Sequence, residues 1–110
     1  MNIYDTANNL AKEIRESEEY KNFYNIKKEI YGDSDRKQRL EAFEKLRYNI
    51  QLESMQNGTQ NSSEMDHLQA EYTKLIEDEK IRMYFELETK FNVIIADVNK
   101  IIAEAVKDVL

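Results

Sequence analysis

Apolar side chains recur three and four residues apart along almost the whole chain, which is the period of an α-helix. Tyr4, Ala7, Ala11 and Ile14 form the first stripe, with Ile3 and Leu10 beside it, and predict a helix over residues 3–16. Ser17 is placed to cap a second helix, whose face is Tyr20, Phe23, Tyr24, Lys27, Ile30 and Tyr31. The stem of Lys27 can lie along that face with its ammonium in water. Gly32 falls where a left-handed C-terminal cap is expected. Asp33-Ser34-Asp35 then opens a third helix, because hydroxyl and carboxylate groups satisfy its free amides and suit its positive end. Its stripe is Leu40, Phe43, Leu46 and Ile50, with Met55 as a candidate extension, and its end is expected near Gln56, ahead of Gly58.

Residues 57–63 read NGTQNSS, polar and without apolar spacing, and predict a flexible loop. Ser63 with Asp66 fits a capping box with Asp in the acidic place. A fourth helix follows on Met65, Leu68, Tyr72 and Leu75. Asp78 either caps a fifth helix or marks a kink, so the separation of the fourth and fifth helices stays open. From there Ile81, Tyr84, Glu88, Phe91, Ile95, Val98, Ile102, Ala105 and Val109 alternate three and four apart, widened by Ile94 and Ile101. This is a heptad-like seam with one charged interruption, Glu88. A helix from Glu79 to Val109 would be about 45 Å long, whereas a compact globule of this size is only about 35 Å across. An overhanging apolar seam in water needs a cover, and a second copy is the simplest one. The expected architecture is all-α: a single domain over 1–110 of about five helices, antiparallel, with a long C-terminal helix and completed by homodimerisation. A monomeric bundle with a bent last helix is the alternative.

Composition narrows the chemistry. The 110 residues include no proline, two glycines and no cysteine. Without cysteine there is no disulfide, thiolate zinc site or cysteine-held cluster. The N-terminal stretch lacks the basic and apolar regions of a signal peptide, and no apolar run approaches the ~20 residues of a membrane span. The expected location is cytoplasmic, without membrane insertion. The net charge of −6 lies entirely in residues 51–110, which hold twelve acidic and six basic residues. Such a domain repels phosphate backbones, so nucleic-acid binding is disfavoured.

Catalytic motifs are absent. His67 is the sole histidine, off the stripe of the fourth helix, and reads as an ordinary exposed residue. Glu86 with Lys90 and Glu41 with Lys45 are spaced as helix-surface ion pairs. Glu88, between Tyr84 and Phe91, reads as a register-fixing polar residue paired across a helix interface or as an exposed seam edge. No glycine-rich cradle, metal-ligand spacing or acidic calcium loop occurs. The chain is therefore expected to be no enzyme and to need no cofactor and no metal. The seam is assigned to Ile81, Tyr84, Glu88, Phe91, Ile95, Val98 and Ile102. A partner patch is assigned to Tyr20, Phe23 and Tyr24, which suit either core or a binding surface, and to Arg36, Lys37 and Arg39. These three begin the only basic segment, net +3 over residues 36–47. The leading expectation is a protein–protein adaptor. The alternatives are a direct RNA-binding module on the basic third helix and a carboxylate enzyme using a divalent ion.

The order of several short runs resembles the YlbF/YmcA family of small helical bacterial proteins, and its YheA-like branch in particular. These runs are Glu16-Ser17-Glu18-Glu19-Tyr20, Asp35 to Phe43, Gln51, Met55-Gln56-Asn57-Gly58, Tyr84-Phe85, Glu88, Phe91-Asn92 and Asp97-Val98-Asn99-Lys100-Ile101-Ile102. The resemblance implies an all-helical, dimer-forming cytoplasmic protein of Firmicute-type bacteria. It implies an accessory role in complexes that influence competence, biofilm formation and sporulation, linked to the endoribonuclease RNase Y and mRNA processing. The implied partners are a second copy, related family members or the RNA-decay machinery. Some relatives carry cysteine-held iron–sulfur clusters, a role this cysteine-free chain does not share. Many also place a proline near the start of the last helix, where this chain has Asp78-Glu79-Lys80.

Overall fold

The computed structural model describes residues 2–58 and 62–110, which form five α-helices and no strand among the described residues. They are α1 (Ile3–Glu16), α2 (Glu18–Tyr31), α3 (Ser34–Asn57), α4 (Ser62–Leu75) and α5 (Glu79–Val106). The fold is all-helical, as the period requires.

Local chemistry sets the helix ends. The Asn2 side chain accepts the Asp5 amide at 2.9 Å and caps α1. Ser17 is extended (φ −68°, ψ 150°), which breaks α1 from α2, and its Oγ accepts the Tyr20 amide at 3.2 Å. Asp33 caps α3 by accepting the Arg36 amide at 3.2 Å. Gly58 closes α3 with φ 69°, the left-handed conformation that glycine adopts without a Cβ penalty. Asp78 caps α5, so α4 and α5 are separate helices without a proline between them.

Six expectations are corrected. Gly32 is not a left-handed cap, since Gly58 holds the only positive φ among the described residues. The Gly32 amide instead reaches the Lys28 carbonyl at 3.0 Å and the Asp33 amide reaches that of Ile30 at 3.1 Å, so the helix closes and hands on to Asp33 without a left-handed residue. The buried face of α2 contains Ile26 and Ile30, whereas Tyr24, Lys27 and Tyr31 are exposed. Phe23, Ile26 and Ile30, spaced three and four, place that face one residue away from Lys27. Met55 is 78% exposed and does not extend the α3 core stripe. Ser63 lies inside α4, past the cap position. Val109 lies beyond the end of α5. Of the loop expected over 57–63, residues 59–61 lie outside the described residues, while Asn57 ends α3 and Ser62 and Ser63 belong to α4.

The helices divide between two compact units, whose boundary cuts α2 and α5. One unit is Lys27–Met83. In it α3 packs antiparallel on α4: Phe43 faces Tyr72 with ring centroids 6.1 Å apart, while Arg39, four residues before Phe43, reaches Asp78, six residues after Tyr72. Its buried residues are Ile30, Leu40, Phe43, Ile50, Leu75 and Ile81, each contributing about 1.5–3 kcal/mol by leaving water. The other unit joins the chain up to Ile26 with Tyr84–Leu110. Aromatic rings join its α2 and α5 segments: Tyr20 meets Phe91 at 5.8 Å, and Phe23 meets Tyr84 at 5.3 Å and Phe91 at 6.0 Å. Within this unit α1 is amphipathic yet contributes no buried residue.

Candidate functional site

Burial falls away steadily along the α5 stripe. Ile81 is fully buried and Tyr84 nearly so. Glu88, Phe91, Ile95 and Val98 are half-buried, and Ile102 is 53% exposed. Ile101 (69%) and Val93 (53%) add exposed apolar area on the same helix, and α1 adds Ile3 and Tyr4, 77% and 75% exposed. Ile81 belongs to the Lys27–Met83 unit, and the other six seam positions to the α1–α5 unit. That second unit, built from α1 and segments of α2 and α5, thus leaves the apolar positions of α5 increasingly exposed toward its end.

The six patch residues do not form one surface within a unit: Tyr20, Phe23 and Tyr24 fall in one unit, and Arg36, Lys37 and Arg39 in the other. Tyr20 and Phe23 are half-buried against Phe91, while Tyr24 stacks on Tyr20 at 6.0 Å and stays half-exposed. The arginines are occupied. Asp78 Oδ2 accepts Arg36 Nε at 2.8 Å and Arg39 Nη2 at 3.0 Å. Arg36 also pairs with Asp33, and Arg39 with Asp35. Asp78 Oδ1 meanwhile accepts the amides of Lys80 and Ile81. Partial burial pushes the Asp78 carboxyl up, but these hydrogen bonds, led by Arg36 and Arg39, outweigh it and hold the group below the usual carboxylate range. Lys37 pairs with Glu41 at 3.9 Å. The basic segment is therefore largely neutralised by the chain's own carboxylates.

A groove of about 340 Å³ lies between α3 and α4. Phe43, Leu46 and Leu75 supply its apolar floor, and Arg39, His67, Glu71 and Lys74 its polar wall. His67 is exposed, as its place off the stripe indicates, but it faces this groove. The groove escapes sequence reasoning because its two walls come from segments some thirty residues apart, and neither segment alone carries a ligand-like spacing. Among the described residues, no group of three or more His, Asp or Glu side chains is placed to hold a metal ion. None of their helices is long and apolar enough to cross a membrane.

Comparison with known proteins agrees with the all-helical fold. A UPF0342 protein of Symbiobacterium thermophilum is 35% identical over 104 residues, covering 94% of this chain and 93% of its own. One from Clostridium novyi is 34% identical over 108 residues, covering 98% and 95%. Among solved structures, a protein of unknown function (DUF964) from Bacillus stearothermophilus superposes with a TM-score of 0.83 at 17% identity, over 96% of this chain and 93% of that one. YheA from Bacillus subtilis superposes over both complete chains with a TM-score of 0.69 at 24% identity. These likenesses share the fold. The family described as control of competence regulator ComK, YlbF/YmcA, matches residues 3–107, and the chain belongs to that family.

Proposed function

We propose that this protein is a non-catalytic regulatory adaptor that works as a homodimer. The observation that supports this is the apolar area left uncovered in the α1–α5 unit: α1 is amphipathic with no buried residue, and the apolar positions of α5 grow more exposed toward its end. A second copy of the same unit, packed on the exposed side of α5, would bury Ile95, Val98 and Ile102. In this reading the seam is an interface between copies, and the partners are other proteins, related family members or the RNA-decay machinery among them. The family's description as control of a competence regulator supports a regulatory role. Direct RNA binding on α3 finds less support, because Arg36 and Arg39 are bound by Asp33, Asp35 and Asp78 and offer few unspent charges to phosphates.

The test is recovery of the tagged protein from its own cells, with and without ribonuclease, read by mass spectrometry. Protein partners that survive ribonuclease are the expected result. Partners that vanish with ribonuclease would move the function to RNA.

A further inference from the structure

We propose that Asn57, the last residue of α3, is a site of spontaneous deamidation, and that its conversion to aspartate or isoaspartate loosens the end of that helix. Sequence and exposure single it out. Asn57 is the one asparagine followed by glycine, and a residue without a Cβ leaves its own main-chain nitrogen unhindered. Asn57 and Gly58 are both exposed, and beyond the chain neighbours no heavy atom lies within 4 Å of where a Gly58 Cβ would stand. Asn25, Asn49 and Asn92, by contrast, sit inside helices and precede the β-branched Ile26, Ile50 and Val93.

The step needs only water. The Gly58 main-chain nitrogen gives its proton to solvent and attacks Cγ of Asn57. The N–Cγ bond forms, the Cγ–Nδ2 bond breaks, and the side-chain amide leaves as ammonia with a proton from solvent. Water then opens the cyclic imide. Breaking the new N–Cγ bond gives aspartate; breaking the original peptide bond gives isoaspartate, whose main chain runs through Cγ. One water is consumed, one ammonia is released and nothing is oxidised.

The fold supplies a brake and a consequence. The Gly58 amide donates to the Ser54 carbonyl at 2.9 Å, so the nitrogen is engaged until the last turn of α3 opens. Helix ends open at low cost compared with global unfolding. The new carboxylate then stands at the negative end of the helix, whose last turn carries no basic residue. It lies four residues after Glu53, on the same helix face, and no lysine or arginine occurs between Arg47 and Lys74. Glu53 already shares a hydrogen bond with Glu64 of α4, which pushes the Glu64 carboxyl above its ordinary range. Isoaspartate adds a further disturbance, because its extra main-chain carbon breaks the helical repeat.

The experiment incubates the whole chain, folded and in urea, in mildly alkaline buffer. Peptide mass mapping follows each asparagine, since every conversion adds one mass unit, and NMR reads hydrogen exchange of the Gly58 amide. Asn57 is expected to convert before any other asparagine. Its slowing in the folded chain relative to urea should match the Gly58 protection factor within about threefold, because both report the same opening. Asn57→Asp supplies the charge without the chemistry and is expected to lower the melting temperature by roughly 2–5 °C, whereas Asn57→Gln should melt like wild type. The proposal is overturned by a folded chain whose Asn57 stays intact, by another asparagine reacting first, or by equal rates in urea and in the fold despite a protected Gly58 amide. An Asn57→Asp variant that melts like wild type overturns it as well.

Discussion

Asp78 ties together the start of α3 and the start of α5 within the Lys27–Met83 unit, through two arginine contacts 42 and 39 residues away in sequence. Its side chain is only 12% exposed, so removing its charge leaves two guanidinium groups short of an acceptor. Asp78→Asn is expected to cost about 1–3 kcal/mol, measured by urea unfolding at pH 7. The pH dependence has a definite sign. Because the folded carboxyl titrates below its ordinary value of about 3.8, its contribution is complete above that value and is lost as pH falls through the lower folded one. The gap between wild type and Asp78→Asn is therefore expected to shrink below pH 4, and a gap unchanged there would show that the charge is irrelevant. The sequence reveals Asp78 as a candidate cap, since its acceptor role is local. It hides the arginine partners, since nothing in a one-dimensional pattern pairs residues forty positions apart.

At the scale of elements, periodicity reports which helices exist better than which face each buries. The α3 helix shows why. Leu40, Phe43 and Ile50 are buried, yet Tyr48, Leu52 and Met55 form a second stripe on another side of the helix, 61%, 39% and 78% exposed. With apolar residues on two faces the pattern alone does not say which faces α4, and Met55 is read onto the wrong one. The α2 face is misplaced by one position for a similar reason, because Tyr24 and Tyr31 compete with Ile26. Substitutions should separate the two α3 faces. Leu40→Ala is expected to cost about 2–5 kcal/mol, whereas Met55→Gln should stay within about 0.5 kcal/mol, as thermal melts of the two variants would show. The glycines separate in the same way. Gly58→Ala places a Cβ at φ 69° and is expected to cost about 1 kcal/mol, a loss that Gly58→Asn should partly restore. If Gly58→Ala melts like wild type, the left-handed cap is wrong.

For the whole molecule, the all-helical class follows from spacing and from the absence of proline, while the break between α4 and α5, the groove and the arginine clamp require three dimensions. The reach of the apolar pattern on α5 beyond what one chain buries is visible at both levels. In sequence it is a seam too long for a small globule; in structure it is a graded loss of burial from Ile81 to Ile102. That agreement is the basis for placing a second copy there. The direct test is the solution mass, by light scattering at micromolar concentration, of the wild type and of Ile95→Asp, with helicity followed in parallel by circular dichroism. The account predicts twice the 13.1 kDa of one chain for the wild type, and a monomer or an unfolded chain for Ile95→Asp. A wild type at the mass of one chain, or an Ile95→Asp variant with unchanged mass and helicity, would contradict it.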